Sequence, residues 1–599
     1  MTVHWRWYLN RKNPNFTPVC RLAGIGRYNS LCTERSRSIE TNHIYNVGNN
    51  MRKIIPYLFL LVFCAKSALA QNNLTDQEKL YATAKIWGFL KYYHPNVADG
   101  KYHWDDQLIE ILPKVNEAKN KDELSAIYME WIEGLGEIKP CKTCDDAENT
   151  AYFLKNFDLK WLNDTQLFQA ELSRKLHYIR DNRHQGKKHY VSSNKYSNAI
   201  ITNELEYSWS QWNDESVRLL ILFRYWNIVE YFFPYKYQTD TPWDTVLMDM
   251  IPKFLHPKSE TDFKWSLREL IASVDDSHAF IYNKKDECLL GCYLSPVIFN
   301  FIEGKAVITQ FYNDSIAQRI DLRIGDVLSK IDGNSVDSLF KENRKYINGS
   351  NLSFKKYNAY YYLLSGSNTP LNLEINRNGT SKNIPTQRYL FEEFNYRVPQ
   401  KEPYKILDGN IGYVYVRELK KMKVKEVEEI MNSLNTAKAI IFDLRNSSPL
   451  FNKYLLRFIT SEKRAFYRAM YPDLDYPGKF IWVDMDKWGS NTLEYQGKVV
   501  LLVDESVQSQ GEFAAMCLQA GDHVTTIGVQ TSGADGNVTR FDLFAGFKTK
   551  ISGVGIFYPD GTESQRKGVK IDIEVTRTIK GIIDGKDEIL EKAIEFVNE

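Results

Sequence analysis

The stretch from Val499 to Gln519 carries the residues best suited to chemistry. It begins with the apolar run VVLLV, turns through DESVQSQG and continues as the apolar-patterned segment EFAAMCLQ. A buried strand that leads through a turn into a helix places a side chain at a sharp bend, beside the backbone N–H groups of the helix N-terminus. Ser509 lies at that bend, and we interpret it as a nucleophile. The alternative is a strand and a helix joined by a loop that merely contains serines.

A serine hydroxyl is a weak nucleophile and needs a base beside it. His278 is the candidate base. It lies in Val274-Asp-Asp-Ser-His278-Ala-Phe-Ile, after a predicted helix, beside two carboxylates and before an apolar strand. This placement suits a positioned general base. The alternative is a structural histidine, which is the commoner role of a lone histidine.

His278 belongs to the second copy of an internal repeat whose copies are 139 residues apart (226 − 87). Each copy predicts an aromatic helix that ends at a proline, then a Trp-Asp pair, a second helix and a third helix. We therefore expect two helical bundles with aromatic cores. Where the second copy has its histidine, the first reads Leu135-Gly-Glu-Ile-Lys. The matching residues are Trp87 and Trp226, Pro95 and Pro234, Trp104 and Trp243, Asp105 and Asp244, Pro113 and Pro252, and Lys114 and Lys253.

Length and composition favour a multidomain globular protein. The chain has 599 residues, which is too many for one hydrophobic core. A net charge of +2 with 25% charged residues predicts no nucleic-acid partner, and 14% aromatic residues are typical of large packed cores. Between the two copies, residues 181–211 are polar and predict a linker whose histidines and lysines are solvated.

The segment 51–70 has the form of a secretory signal. Met51-Arg-Lys is followed by an apolar run and by Ala68-Leu-Ala70, an A-x-A cleavage pattern. Residues 1–50 are then interpreted as an upstream extension that is not native to the protein. The alternative is a true extension with an internal membrane anchor, for which the apolar run is short. We expect an exported protein, periplasmic or extracellular, with no stable membrane span once the signal is removed.

Export governs how the cysteines are interpreted. Two close pairs, Cys141 with Cys144 and Cys288 with Cys292, follow the predicted cleavage site. Outside the cytosol the expectation is disulfides, either within or between the pairs. A four-thiolate zinc site is the alternative. Cys517 lies on the apolar face of the helix after Ser509 and is predicted to be a core residue. We predict no metal and no cofactor.

The C-terminal part alternates strand and helix from about residue 405, which predicts an α/β unit with a mainly parallel sheet. In such sheets functional sites lie beyond the carboxyl ends of the strands. Asp443-Leu-Arg-Asn446, Ser509 and Thr531-Ser-Gly-Ala-Asp-Gly536 all follow predicted strands. Their convergence favours Ser509 as a site residue.

Residues 294–388 change to short alternating strands with a short helix and an Asp332-Gly turn. The region resembles a PDZ domain. The resemblance implies that an extended peptide adds to a sheet edge, with its C-terminal carboxylate held near Tyr293 and Leu294. Glycines are sparse where that carboxylate loop should lie. The residues that carry the pattern are Ile316, Ala317, Leu322, Gly325, Asp326, Val327, Ile331 and Gly333.

Taken together, residues 212–580 resemble the C-terminal processing (tail-specific) serine peptidases. The shared elements are a helical region that ends in Asp-Ser-His, the PDZ pattern, the Asp-Leu-Arg-Asn strand and the serine strand-turn-helix. Ser509-Gln-Gly-Glu512 matches the spacing between the family's nucleophile and a glutamate, so Ser509 is favoured over Ser506. The resemblance implies a ClpP/crotonase-like α/β core, a PDZ-like β domain and N-terminal helical bundles.

The resemblance also implies the type of base. One branch of the family uses a lysine in the turn that here reads Thr531-Ser-Gly-Ala534-Asp535-Gly536, where no lysine is present. The other branch, similar to tricorn protease and retinoid-binding-protein-like members, uses a histidine from the helical region. His278 fits that position.

Two further roles are implied with alternatives. The oxyanion needs two N–H donors, and Gln510 is one candidate. The other is Ser447 or Ser448, because Pro449 has no N–H. A glutamate late in the chain should orient the base; counting forward from Asp560 gives Glu563, and counting back from Gly568 gives Gln565. We predict Glu563.

The predicted function is an exported serine endopeptidase that captures polypeptide C-termini and cleaves by a Ser-His acyl-enzyme mechanism. Two alternatives are an inactive peptide-binding scaffold and a metalloenzyme that uses the cysteine pairs. The predicted domains are a helical bundle at 71–180, the linker at 181–211, a second bundle with His278 at 212–288, the PDZ-like domain at 289–390 and the peptidase core at 391–599.

Overall fold

The computed structural model describes residues 73–144, 150–283, 291–396, 400–447, 449, 451–492 and 494–599. The predicted upstream extension and signal at 1–70, Cys288 and Ser448 lie outside these residues. Within the described ranges, no helix combines the length and apolar character needed to cross a bilayer.

Helices occur throughout the described residues, and the two longest lie in the N-terminal half. They are α1 Asp76–Tyr93, α2 Pro95–Ala98, α3 Trp104–Glu117, α4 Lys121–Gly134, α5 Ala170–Asp181, α6 Glu215–Phe232, α7 Trp243–Leu255, α8 Glu260–Ala272, α9 Asp314–Arg319, α10 Val336–Asn343, α11 Leu352–Leu364, α12 Val416–Leu419, α13 Val424–Ser433, α14 Asn452–Phe458, α15 Gln510–Gln519, α16 Ile579–Asp584 and α17 Glu588–Asn598.

Most strands lie in the second half. They are β1 Tyr152–Phe153, β2 Val191–Ser193, β3 Ala199–Ile201, β4 Tyr282–Asn283, β5 Tyr293–Leu294, β6 Val297–Ile302, β7 Lys305–Phe311, β8 Val327–Ile331, β9 Asn334–Ser335, β10 Leu371–Arg377, β11 Thr380–Thr386, β12 Tyr389–Leu390, β13 Tyr404–Leu407, β14 Ile411–Tyr415, β15 Ala439–Asp443, β16 Arg468–Pro472, β17 Phe480–Asp484, β18 Lys498–Val503, β19 Val524–Gly528, β20 Val538–Phe544, β21 Phe547–Ser552, β22 Gly555–Phe557 and β23 Ile573–Glu574.

The two repeat copies have the same local geometry. In the first, the Trp87 indole donates to the Trp104 carbonyl at 3.1 Å and Trp104 donates back to Trp87 at 3.0 Å. In the second, Trp226 and Trp243 form the same reciprocal pair at 2.8 and 3.0 Å. Buried indole N–H groups need acceptors, and the repeat spacing places one carbonyl opposite each.

The copies also bind each other reciprocally. Lys85 of the first copy pairs with Asp244 of the second at 2.7 Å, and Arg224 of the second pairs with Asp105 of the first at 2.6 Å. Each pair joins equivalent positions of the repeat. The bundles therefore pack as two halves related by approximate twofold symmetry, and their apolar core extends to residues of the C-terminal sheets.

The prediction that the linker at 181–211 is solvated holds for Lys187 and Lys195, which are exposed, but it is wrong for Lys188. Lys188 is buried and pairs with Asp475 at 2.5 Å. Glu204 is buried between Lys91, at 2.6 Å, and Arg224, at 2.8 Å. Charges leave water only when partners replace it, and the sequence does not show partners this distant.

Residues 297–386 surround a hydrophobic core of their own. Their sheet has the order β11-β10-β8-β7-β6, with antiparallel pairs, and α11 packs against the edge strand β6. The predicted short helix and the Asp332-Gly turn fall between these strands as α9 and the β8–β9 turn.

The C-terminal unit is built on a sheet of order β13-β14-β15-β18-β19-β23. From β14 to β23 neighbouring strands are parallel. One face packs against α13, α14 and α15 and the other against α17. The mixed α/β class is confirmed. The PDZ-like and ClpP/crotonase-like assignments and the domain boundaries stay predictions.

The helix pair α1–α6 allows a test of this packing. A Cβ at Gly88 would lie 1.8 Å from the buried Asn227 carboxamide, whose Nδ2 donates to the Ala84 carbonyl at 2.9 Å. We expect Gly88→Ala to lower the free energy of unfolding by about 1–3 kcal/mol. The matched control is Gly134→Ala on an exposed helix end with no atom within 4 Å, which should be neutral or stabilise by up to ~1 kcal/mol. Urea unfolding measures both, and equal effects would contradict the close approach.

Candidate active site

Ser509 occupies a strained turn between β18 and α15. Its φ is 55° and its ψ is −119°, a conformation that residues with a Cβ rarely adopt. The Ser509 N–H donates to the Ala534 carbonyl at 3.0 Å, which helps to hold the bend. Strain of this kind persists only where the surroundings enforce it, and it is typical of a nucleophile at a strand-to-helix turn.

Ser506, the other serine of the turn, is occupied locally. Its hydroxyl donates to Asp504 and accepts from the Asn446 N–H at 2.8 Å. Ser506 therefore joins two neighbouring loops at the carboxyl edge of the sheet. This arrangement agrees with the preference for Ser509.

The Glu512 carboxylate braces the site from the first turn of α15. It is buried, and two hydroxyls and two N–H groups of the turn 531–534 donate to it at 2.6–3.1 Å. It also accepts from the Ser509 N–H at 3.3 Å. Burial raises the pKa of Glu512, and the hydrogen bonds from the turn act in the opposite direction. Glu512 thus braces the turn 531–534 against the segment that carries Ser509. The donors in the turn are Thr531, Ser532, Gly533 and Ala534.

His278 is buried after α8 and is held by Asp276 and Ser552. Its Nδ1 lies 2.9 Å from the Ser552 hydroxyl, which donates to Asp276 Oδ1 at 3.1 Å. Asp276 also accepts from the His278 N–H at 3.0 Å and from the Ser552 N–H at 2.6 Å. Ser552 ends β21, whose pairing with β4 brings the two segments side by side.

One turn of the chain links the histidine segment to the serine. The Ser277 hydroxyl donates to the Ser532 carbonyl at 2.9 Å, and the Ser509 N–H donates to the Ala534 carbonyl at 3.0 Å. Ser277, which precedes His278, and Ser509 therefore bind carbonyl groups that lie two residues apart in the turn 531–534. The structure brings the two predicted catalytic segments together across more than two hundred residues of sequence.

The predicted orienter, Glu563, lies in a different environment. Its Oε1 accepts from the Tyr237 hydroxyl at 2.9 Å and lies 3.9 Å from Lys155 Nζ. Gln565, the alternative, is buried and donates to Ser350 Oγ at 3.4 Å. That oxygen accepts from the Ser277 N–H at 2.8 Å, so Gln565 is the one attached to the histidine segment. These contacts do not attach Glu563 to the histidine segment. The spacing in sequence could not show which of the two residues would be buried beside that segment.

The predicted oxyanion donors differ in whether their N–H groups already have an acceptor. Gln510 is the first residue of α15, and helix geometry leaves its N–H without an intrahelical acceptor. The Ser447 N–H instead donates to the Leu444 carbonyl at 3.2 Å, and the Ser447 hydroxyl donates there at 2.7 Å. The Ser447 carbonyl faces α15, since it lies 3.1 Å from where a Cβ of Gly511 would be. In this conformation the Ser447 N–H is used within its own turn.

The predicted peptide-binding residues, Tyr293 and Leu294, are already paired through their backbones. They form a short antiparallel pair with Tyr389 and Leu390. The Tyr293 N–H also donates to the Gly366 carbonyl at 3.2 Å. A peptide would have to use other backbone groups here. Next to them lies a cleft between β6 and α11 that is too narrow in this conformation to hold a water molecule. It is lined by Leu294, Ser295, Val297, Tyr312, Tyr360, Tyr361, Leu364 and Ser365.

The cysteines form a disulfide within the first pair, between Cys141 and Cys144. The zinc alternative is therefore wrong for these two residues, because a disulfide offers no thiolate. Cys292 is half-buried, and Cys288 lies outside the described residues. Cys517 is buried, as predicted. Across the described ranges, no group of three or more His, Cys, Asp or Glu side chains could hold a metal ion.

Sequence reasoning missed two groups beside His278. Ser552 is polar at the end of a strand, and nothing in the sequence relates it to position 278. Lys550, two residues earlier, is buried above the Phe280 ring at 4.7 Å. Burial and then Arg540 lower the pKa of Lys550 to about 8, while the charge of Asp276 opposes that shift.

A serine at a strained strand-to-helix turn, on the carboxyl edge of a parallel sheet, is typical of a serine hydrolase site. Residues 410–575, which include Ser509, match the model of Peptidase family S41. The chain therefore contains a region of Peptidase family S41 and is a serine peptidase. The family predicted from the sequence is confirmed.

Among solved structures, mature CPAF is similar to this chain in fold. Mature CPAF complexed with lactacystin is 15% identical, with a TM-score of 0.51, over 63% of this chain and 98% of that one. A peptidase from Parabacteroides merdae is 14% identical, with a TM-score of 0.40, over 63% and 95%. The photosystem II D1 C-terminal processing protease is 16% identical, with a TM-score of 0.36, over 62% and 98%. A search of curated proteins found no match.

Glu512 can be tested against a matched glutamate. An amide at position 512 would turn an NH2 group toward donors, so Glu512→Gln should lower the free energy of unfolding by about 2–3 kcal/mol and reduce peptidase activity. Glu78 has the same third position in α1 but lies at the surface, and Glu78→Gln should cost less than about 1 kcal/mol. Thermal unfolding and cleavage assays compare the two. Similar stability losses would contradict the bracing role.

Proposed function

We propose that the chain is an exported serine endopeptidase in which Ser509 is the nucleophile and His278 the general base. The observation that carries the proposal is the strained conformation of Ser509, whose N–H binds the same 531–534 turn as the histidine segment. The sheet edge supplies the nucleophile, and the helical bundle supplies the base. The Cys141–Cys144 disulfide supports an oxidising compartment.

The reaction follows from these roles. His278 Nε2 takes the hydroxyl proton as Ser509 Oγ attacks the peptide carbonyl, which forms a tetrahedral oxyanion. The imidazolium then gives the proton to the leaving amine, the C–N bond breaks and an acyl-enzyme remains. Water attacks the ester with His278 again as base, which releases the acid and restores Ser509.

The oxyanion requires two donors. The Gln510 N–H at the start of α15 is the first. Ser447 or Ser448 supplies the second; for Ser447, the N–H has to leave the Leu444 carbonyl when substrate binds. Active-site hydrogen-bond donors are often poorly aligned in the absence of substrate and reach their final geometry only when substrate binds.

The nucleophile is tested by Ser509→Ala. We expect cleavage of an unfolded polypeptide to fall by at least about 10³-fold, because the remaining site only binds and polarises the substrate. Labelling by a fluorophosphonate should be lost too, whereas Ser506→Ala should still be labelled. The measurements are cleavage, labelling and a thermal unfolding control. No labelling of the parent chain, with intact peptide binding, would favour the inactive scaffold.

The second part of the proposal is capture of polypeptide C-termini by the region 291–390. The support is the PDZ-like sequence pattern and the cleft between the edge strand β6 and α11. An edge strand offers unpaired backbone groups to which a peptide can add. Leu294 lines this cleft, and its backbone is already paired with Tyr389, so Leu294 can contribute only its side chain.

Peptide capture is tested with Ser509→Ala protein, which cannot consume the probe. A fluorescent peptide with a free C-terminal carboxylate should bind at least about tenfold more tightly than the same peptide with a C-terminal amide, because the amide lacks a charge-assisted hydrogen bond. Leu294→Asp should remove that preference, and Ile406→Asp, at an exposed site in β13, should leave it intact. Equal binding of acid and amide would contradict carboxylate recognition.

A further inference from the structure

We propose that Asp276, acting through the hydroxyl of Ser552, is the carboxylate that orients the catalytic base. This inference rests on the proposed role of His278. Ser552 Oγ lies between the two groups, 2.9 Å from His278 Nδ1 and 3.1 Å from Asp276 Oδ1. Ser552 and Asp276 are positioning residues, because neither is assigned contact with substrate.

The hydrogen bonds determine where the imidazole proton lies. An ionised carboxylate only accepts, so the single hydroxyl hydrogen of Ser552 is directed to Asp276. The Ser552 oxygen is then an acceptor for His278 Nδ1, which must carry the proton. This tautomer leaves the lone pair on Nε2, the nitrogen that removes the proton from Ser509.

The carboxylate is fixed by backbone groups from both sides. Asp276 Oδ1 accepts the His278 N–H at 3.0 Å, and Oδ2 accepts the Ser552 N–H at 2.6 Å. All three side chains are at most 3% exposed. Water therefore does not compete for these bonds, and the ring has little freedom to turn.

The arrangement also supports the charge that forms during turnover. Asp276 Oδ1 lies 3.7 Å from His278 Nδ1, so the carboxylate stabilises the imidazolium directly. Burial raises the pKa of Asp276, while its hydrogen-bond donors and the Lys550 ammonium oppose that shift. Among the described residues, the titratable groups that interact with Asp276 are Lys550, with Arg540 beside it, from the β20–β21 hairpin, and the buried hydroxyls of Tyr225 and Tyr235.

The two residues considered from the sequence do not provide this carboxylate. Gln565 is attached to the histidine segment through Ser350 but has a neutral amide. Glu563 is held by Tyr237 and lies near Lys155 and Lys567. In this inference Asp276, two residues before the base, acts through the Ser552 hydroxyl and replaces a glutamate from late in the chain.

The test uses Ser552→Ala, which removes the relay oxygen but keeps the backbone N–H that holds Asp276. We expect kcat to fall about 10–100-fold with KM within about threefold, because the ring loses its orientation and not its substrate. The acid limb of the kcat/KM profile should move to lower pH, since the imidazolium loses support. Asp276→Asn should shift the limb in the same direction. Ser266→Ala, which deletes another buried serine hydroxyl of the bundle, should change neither quantity.

Three results separate the possible failures. An unmoved acid limb and a kcat within twofold for Ser552→Ala would overturn the inference. A limb that moves with Glu563→Gln and not with Ser552→Ala would overturn it in favour of Glu563. Full cleavage by His278→Ala would refute the proposed base, and the inference with it. Loss of cleavage in His278→Ala together with normal cleavage by Ser552→Ala would overturn the inference alone. Thermal unfolding of each variant excludes misfolding as the cause.

Discussion

The buried carboxylate of Glu512 is the interaction on which the rest of the site depends. A lone charge inside a protein is costly, and here the turn 531–534 compensates it with four donors. Because these donors come from a turn that also binds Ser509 and Ser277, one charge fixes three segments at once. The strain at Ser509 is tolerated because its neighbours on both sides are held in this way.

The division of labour between the parts follows from this arrangement. The parallel sheet brings its loops to one edge and carries the proposed nucleophile there. The helical bundle carries the proposed base, and the β21 strand carries the serine that contacts it. Asn351, the N-cap of α11, donates to the Thr531 carbonyl at 2.9 Å, so the middle region is attached to the same turn.

Duplication of the bundle shows how similar packing serves different ends. The reciprocal tryptophan pairs and the crossed ion pairs are common to both copies, because each copy buries the same aromatic face. Only the second copy continues from its third helix into an Asp-Ser-His segment that reaches the sheet edge. The first copy is therefore part of the support, since its third helix ends without a comparable group.

The sequence by itself determined the local elements and the chemistry that they carry. Apolar periodicity predicted the repeated helices, the buried strands of the core and the strand-turn-helix of Ser509, because these patterns depend on residues close in sequence. Motif spacing identified the family and pointed to His278. Local spacing alone could not show whether Glu563 or Gln565 would be attached to the histidine segment, because that depends on how the chain packs.

Only the tertiary structure decided which groups meet. Ser552 lies 274 residues after His278, and Lys188 lies 287 before Asp475. Such contacts arise from strand pairing and burial, which no local pattern encodes. The same reason accounts for the buried charges of the predicted linker. The sequence determined which residues are able to do chemistry, and packing decided which of them are held close enough to do it.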